Sequence, residues 1–260
     1  MFINNIDPVL LNIGPFGIRY YGLVYGIGFL IGYLVLRRFI RSKHIKLTEE
    51  QLDTYFVWLV IGSVLISRIF EVFIYNLPYY MTHFSESYKI WNGGLSFQGG
   101  IVGAAIITWI FAKKYKIHFY DIADVLIIPT TLVLAVGKLA NYTNSELYGK
   151  ITGVPWCVVF QKVDTYCRHP VQIYEFILYL AIFITLLIYY NHMRKDKQHI
   201  NGRIFWSFVI SYSIARFFIT FLRDEPVYLG LNVGQWISML TIVISVIFLW
   251  SSWRHKPKNI

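Results

Sequence analysis

The chain has 260 residues, of which 56% are hydrophobic, 18% aromatic and 15% charged, with a formal net charge of +10. Soluble globular domains carry about 25% charged residues, so this composition excludes an ordinary soluble domain. The positive excess does not point to nucleic acid, because the basic residues gather in alternate connections between apolar runs, and the many aromatic rings suit two membrane interfaces.

About 20 apolar residues make one transmembrane helix. Runs near residues 20–36, 54–75, 99–112, 121–139, 171–190, 204–222 and 234–252 predict an all-α polytopic membrane protein with seven transmembrane helices. They use most of the chain, so residues 1–260 are expected to form a single integral membrane domain with outer-face segments 1–18, 76–98 and 140–170. Arg37, Arg38, Arg41, Lys43 and Lys46 follow the first run, and Lys113, Lys114 and Lys116 follow the third. Arg194, Lys195, Lys197 and Arg203 follow the fifth, and Arg254, Lys256 and Lys258 the seventh. The positive-inside rule makes that side cytoplasmic, which places the N-terminus outside and the C-terminus inside.

Residues 1–18 form a short outer segment broken by Gly14-Pro15, expected to lie as an amphipathic strip in the outer interface. Asp7 and the lack of a basic leader argue against a secretory signal peptide, so the first apolar run is expected to remain. That run opens with Arg19-Tyr20-Tyr21-Gly22, and Leu47-Thr48-Glu49-Glu50 reads as a capped turn before the second. Arg68 and Glu71, three apart in the second run, are expected to pair, which would lower the cost of burying either.

Trp91-Asn92-Gly93-Gly94-Leu95-Ser96-Phe97-Gln98-Gly99-Gly100 stands at the outer mouth of the third run. Non-helical backbone at that depth survives only where protein or a wet cavity satisfies it. Such a turn would offer backbone N–H groups at a helix N-terminus to an anion. Asp121 and Asp124 begin the fourth run as helix caps or solvated side chains.

Gly137-Lys138-Leu139-Ala140-Asn141-Tyr142-Thr143-Asn144-Ser145-Glu146-Leu147-Tyr148-Gly149 follows next. A cation, an amide and a carboxylate emerging from hydrocarbon are costly unless they face a wet cavity or a polar ligand. If 137–142 is helical, Lys138 and Asn141 share a face, while Gly149 permits a close backbone approach. The outer loop then carries Cys157 and Cys167, where a disulfide staple is permitted, and Arg168-His169-Pro170 leading into Gln172, Tyr174 and Glu175. No Cys or His spacing suggests a metal site. Tyr212 and Arg216 share one face of the sixth run; a buried guanidinium there needs an anionic partner or a wet cavity. Arg223 beside Asp224 and Glu225 reads as a surface arrangement of small energetic weight.

These motifs, in this order, resemble the prolipoprotein diacylglyceryl transferases of bacterial inner membranes. The resemblance rests on Arg-Tyr-Tyr-Gly at 19–22, the Gly-rich turn at 91–100, the 137–149 signature, Arg-His-Pro-x-Gln-x-Tyr-Glu at 168–175 and Tyr-x-x-x-Arg-Phe-Phe-Ile at 212–219. It implies an enzyme that moves the diacylglyceryl group of phosphatidylglycerol onto the lipobox cysteine of prolipoprotein signal peptides, forming a thioether and releasing glycerol phosphate. Tyr21, Asn141, Glu146, Gly149, Tyr212, Arg216 and Arg223 match the family's functional positions. The chain departs from the family at Gln98, where His is usual, at Lys138, where Arg is usual, and at Thr220, where Glu is usual. These departures leave two alternatives, an active divergent enzyme or a paralogue with altered chemistry. A non-catalytic membrane protein that binds anionic lipid is a further reading.

In the expected chemistry Lys138 and Arg216 flank the phosphate, Asn141 and the 93–100 backbone donate to it, and either no dedicated base is needed or Glu146 or His169 serves as one. The same cations would lower the thiol pKa. Tyr21 and Tyr212 orient the head group, and Arg68, Gly94, Gln98, Gly99, Gly149, His169 and Arg223 complete the substrate-binding set. No cofactor is called for.

Overall fold

The structure, a computed structural model, describes residues 2–13, 16–41, 45, 47–90, 93–195 and 202–254. Gly14, Pro15, Lys43, Lys46, Trp91, Asn92, Lys197, Lys256 and Lys258 lie outside the described residues. The chain gathers into two compact units, Tyr33–Ala123 and Met1–Gly32 with Asp124–Ile260.

The chain starts with three short strands, β1 (Phe2–Asn4), β2 (Val9–Ile13) and β3 (Phe16–Arg19), the last two paired antiparallel. The described part of the 1–18 segment is therefore largely strand, and Leu10, Leu11 and Ile18 are exposed on it. Helix α1 (Tyr20–Arg41) follows, its first part in the larger unit.

In the Tyr33–Ala123 unit, Arg37 and Arg41 at the end of α1 hold Glu49 at 2.6 and 2.8 Å. Glu49 opens α2 (Glu49–Phe70), which begins with the capping box foreseen at Thr48: its side chain accepts from Gln51 N, and the Gln51 side chain accepts from Thr48 N. The reciprocal bonds satisfy two donors that a helix start leaves open. A π turn (Glu71–Tyr75) and a short α3 (Leu77–Thr82) follow α2, and α4 (Phe97–Tyr115) packs against α2. The contact is backbone to backbone. A Cβ on Gly99 would come within 2.7 Å of Ile66 O and Ser67 Cα, and one on Gly103 within 2.8 Å of Gly62 O. Small residues let helices approach that closely.

In the larger unit, α5 (Phe119–Thr143) lies with Val133 against Gly28 of α1. The loop after it contributes β4 (Val158–Phe160) and β5 (Cys167–Arg168), and β4 joins β1 in parallel and β5 antiparallel. Cys157 and Cys167 form a disulfide, with 5.4 Å between their Cα atoms. Then come α6 (Val171–Lys195), α7 (Arg203–Ile219), a 3₁₀ turn (Thr220–Leu222) and α8 (Val233–Arg254); α7 packs on both α6 and α8.

Of the two alternatives for Asp124, a helix cap or a solvated side chain, the structure shows a cap, but of another helix. It is buried and accepts from Gly202 N at 2.5 Å and Phe205 N at 2.8 Å, so it caps α7. An ionised carboxylate at a helix N-terminus meets unpaired N–H groups and the positive end of the dipole. Asp121 does cap its own segment, accepting from His118 N at 3.3 Å.

The protein is mostly helical, and each expected apolar run is helical, with the run at 54–75 ending in the π turn and the run at 204–222 ending in the 3₁₀ turn. By length and composition six described helices can cross a membrane: Tyr20–Arg41, Glu49–Tyr75, Phe119–Thr143, Val171–Met193, Arg203–Leu222 and Val233–Ser251. The 19-residue α4 is not one of the six.

Candidate active site

The larger unit buries a carboxylate completely. Glu175, one turn into α6, has a side-chain exposure of 0%, and three cations reach it. Lys138 Nζ from α5 lies 3.0 Å from Oε2, Arg223 Nη2 3.1 Å from the same oxygen, and Arg216 Nη1 from the end of α7 3.3 Å from Oε1. Glu225 forms a second bridge, 3.1 Å from Arg216 Nη2 and 2.6 Å from Arg223 Nη1. An isolated carboxylate or guanidinium would pay a large desolvation cost here; mutual neutralisation and hydrogen bonds make its burial tolerable.

Local structure delivers each member. The whole of 137–143 is helical, so Lys138 and Asn141 do share a face of α5. Arg216 is in the last turn of α7, where Thr220 donates its hydroxyl to Arg216 O. Tyr179, one turn after Glu175, donates to Oε1 at 3.3 Å; its ring is 5.5 Å from Lys138 Nζ and 5.1 Å from the ring of Tyr212.

Arg223 corrects the sequence reading. It is 3% exposed and bridges Glu175 and Glu225, whereas the sequence suggests a surface arrangement with Asp224 and Glu225; the contact with Glu225 forms, but it is buried. Asp224 turns instead to Arg168, 3.0 Å away. The sequence marks Glu175 only as part of a helix opening. Its spacing carried a signal, because Gln172, Glu175 and Tyr179 fall at i, i+3 and i+7 on one face of an apolar helix.

Glu146 forms a neighbouring cluster. Tyr21 donates to Oε2 at 3.1 Å, Asn141 Nδ2 lies 3.5 Å from the same atom, and Asn144 Nδ2 lies 3.2 Å from Oε1. Among the described residues no cation pairs with Glu146, and the residue is exposed. Buried Gln172 donates to Glu146 O at 2.6 Å and pins the turn, in which Ser145 and Leu147 hold φ of 58° and 56°. Left-handed backbone at two residues that carry a Cβ is strained and persists because surrounding contacts hold it.

Gly149 lies against the segment before α6. Its N–H donates to His169 O at 3.0 Å, and an added Cβ would meet His169 Cβ at 2.6 Å. Arg168 is buried between Asp164 at 2.6 Å and Asp224, with its guanidinium 4.7 Å from the Tyr148 ring. Its neighbour His169 places Nδ1 3.3 Å from Tyr174 Oη, and burial lowers its pKa below the ordinary histidine value.

Arg68, Gly94, Gln98 and Gly99 belong to the Tyr33–Ala123 unit. The expected Arg68–Glu71 pair does not form. Arg68 donates to the carbonyls of Glu86 at 2.5 Å, Ser87 at 2.9 Å, and Gly93 and Gly94 at 2.7 Å each, while Glu71 accepts from Asn76 at 2.6 Å. A guanidinium has five N–H donors in a planar fork, and a ring of loop carbonyls uses more of them than one carboxylate can. Gly94, at φ 73°, leaves room for this, since a Cβ would come 2.7 Å from Arg68 Nη1. Part of the Gly-rich backbone is already engaged. Gly99 N donates to Ser96 Oγ and Gly100 N to Ser96 O at the helix start, while Ser96 N donates to Ser67 O of α2. Gln98 is exposed, with Oε1 3.4 Å from Ser96 Oγ.

A sequence profile described as prolipoprotein diacylglyceryl transferase matches residues 8–251. The protein named phosphatidylglycerol–prolipoprotein diacylglyceryl transferase in Tolumonas auensis is 35% identical, over 99% of this chain and 100% of its own length. Proteins of the same name in Sinorhizobium medicae, at 34% identity over 96% and 92%, and Bordetella parapertussis, at 37% over 90% of each chain, are similarly related.

Proposed function

The chain belongs to the prolipoprotein diacylglyceryl transferase family, and from that premise we propose that it transfers the diacylglyceryl group of phosphatidylglycerol to the lipobox cysteine of a prolipoprotein. The cysteine sulfur bonds to the terminal glyceryl carbon of the diacylglycerol moiety. The ester C–O bond on that carbon breaks, glycerol phosphate leaves with the electron pair, and the thioether remains. The observation that carries this reading is the convergence of Lys138, Arg216 and Arg223 on one point of a helix bundle.

Cations preorganised out of water stabilise charge that develops on a leaving phosphate far better than cations in bulk solvent. Lys138, Arg216 and Arg223 hold the phosphate and lower the pKa of the incoming thiol. Asn141, on the same face as Lys138, donates to the lipid, and Tyr21 and Tyr212 orient its head group. Glu146 accepts the thiol proton: it is exposed, is held by Tyr21 and the two asparagines, and lies beside Asn141. His169 is turned to Tyr174 and is the weaker choice. Gly149 supports the turn behind Glu146. Arg68, Gly94, Gln98 and Gly99 shape the loop before α4, which contributes to lipid binding.

The membrane arrangement is part of the same proposal. With α4 as a seventh span, about 28 Å long at 1.5 Å per residue, the N-terminus lies outside and the C-terminus in the cytoplasm of a bacterial inner membrane. The side-to-side bias of lysine and arginine supports this orientation. Glu175 near the start of α6 and Arg216 near the end of α7 then stand toward the outer face.

The test uses the full chain in phosphatidylglycerol vesicles with a lipobox peptide, and mass spectrometry to read thioether formation. Lys138→Ala and Arg216→Ala should each lose about 100-fold in rate, the scale for one preorganised electrostatic contact. Full activity in both variants would remove the cationic clamp from the mechanism.

A further inference from the structure

Five linked charges in the larger unit do not cancel. Lys138, Arg216 and Arg223 bring three positive charges to Glu175 and Glu225, and every one of these groups lies within 3.3 Å of an opposite partner in the set. The cluster is therefore left with one positive charge. Side-chain exposures of 0% for Glu175, 3% for Arg223, 15% for Lys138 and 19% for Arg216 keep most of it out of water. Asp164 and Asp224 belong to the separate bridge around Arg168, and Asp224 is 55% exposed, so solvent screens its charge more strongly.

We infer that Glu175 is a positioning residue that also sets the charge of the phosphate site, matching it to a monoanionic phosphodiester and against a dianionic phosphomonoester. This inference rests on the proposed transferase reading. The substrate lipid carries one negative charge on its phosphodiester. When the C–O bond breaks, its electron pair stays with the departing glycerol phosphate, which is then a monoester with a second negative charge. A site with three unopposed cations would hold that product more tightly than the substrate. Glu175 and Glu225 lower the site's charge to the substrate's value, so the product leaves.

Glu175 also fixes geometry. It takes Lys138 and Arg223 on one oxygen and Arg216 on the other, which draws side chains from α5, α7 and the segment after α7 to one place. Like-charged groups would otherwise repel. A carboxylate at their centre is the element that lets three of them stand together in a low-dielectric interior.

The experiment measures inhibition by added glycerol phosphate against turnover of phosphatidylglycerol, in the full-length protein in vesicles. Glu175→Gln and Glu225→Gln each raise the cluster by one charge. Each should strengthen inhibition by glycerol phosphate at least about tenfold relative to the KM for the lipid, a lower bound for one extra charge several ångströms away in a partly screened interior. A purely structural role would lower turnover without moving that ratio. If Glu175→Gln is not recovered folded, Glu225→Gln, whose side chain is 28% exposed, decides the matter. An active wild type with an unchanged ratio in both variants overturns the inference and leaves the transferase reading standing. A wild type that forms no thioether from phosphatidylglycerol and peptide overturns the reading itself.

Discussion

Lys138 and Arg216 reach the two oxygens of a single buried carboxylate, at 3.0 Å and 3.3 Å. Removing that carboxylate leaves cations buried without their partner. Glu175→Leu should therefore destabilise the protein by about 3–5 kcal/mol, the range for breaking a buried ion pair from one side. Thermal unfolding in detergent checks this. An unshifted midpoint would mean that the cations relax into water.

Lysine at 138 is a compact charge where the related enzymes are expected to carry a planar guanidinium. Lys138→Arg should keep or raise the rate of thioether formation, because the fork can engage both Glu175 and a phosphate. A fall of tenfold or more would indicate a site shaped to the ammonium.

The two glycines at 99 and 100 have opposite surroundings. A Cβ at Gly99 would press within 2.7 Å of α2 backbone, whereas one at Gly100 would meet nothing within 4 Å. Gly99→Ala should cost about 1–3 kcal/mol through overpacking. Gly100→Ala should be neutral or stabilise by up to about 1 kcal/mol, since alanine favours helix. Comparing the two melting midpoints gives the sign directly.

The disulfide closes a short loop, with Cys157 and Cys167 ten positions apart. Closing a loop of that length restricts the unfolded chain by about 2–3 kcal/mol. Reduction, or the double change to serine, should lower stability by that amount. Denaturant unfolding with and without reductant measures it.

His169 is outside the spans, and burial lowers its pKa from 6.5. The folded state then binds fewer protons than the unfolded state, so stability is retained above pH 6.5 and declines as pH falls from there toward the lower folded value. His169→Asn should flatten the stability profile below pH 6.5. A slope identical to wild type would assign that dependence to other groups.

Much of the helical frame was legible in the chain, because hydrocarbon admits only backbone whose polar groups are satisfied within the segment. Apolar runs of that length read as helices, and Leu47-Thr48-Glu49-Glu50 announced a capped helix start, which the structure closes through Thr48 and Gln51. The same principle flagged Lys138, Arg68 and Arg216 as cations in costly places. Partners were harder to read. Arg68 chose the carbonyls of a loop 18–26 positions away over Glu71 in its own helix, and Asp124 capped a helix starting near Gly202. Even so, Glu175 escaped attention as a site residue, since four side chains from distant segments meet there only after folding.

Apolar patterning and the lone buried cations were written in local order, where each residue's cost in hydrocarbon depends on its own chemistry. Tertiary packing alone decided which oxygen each cation would meet, that Arg223 lies inside while Asp224 turns to Arg168, and that Gly99 seats one helix on another. Those outcomes depend on distances between segments remote in sequence, and Coulomb attraction and close packing both act through distance.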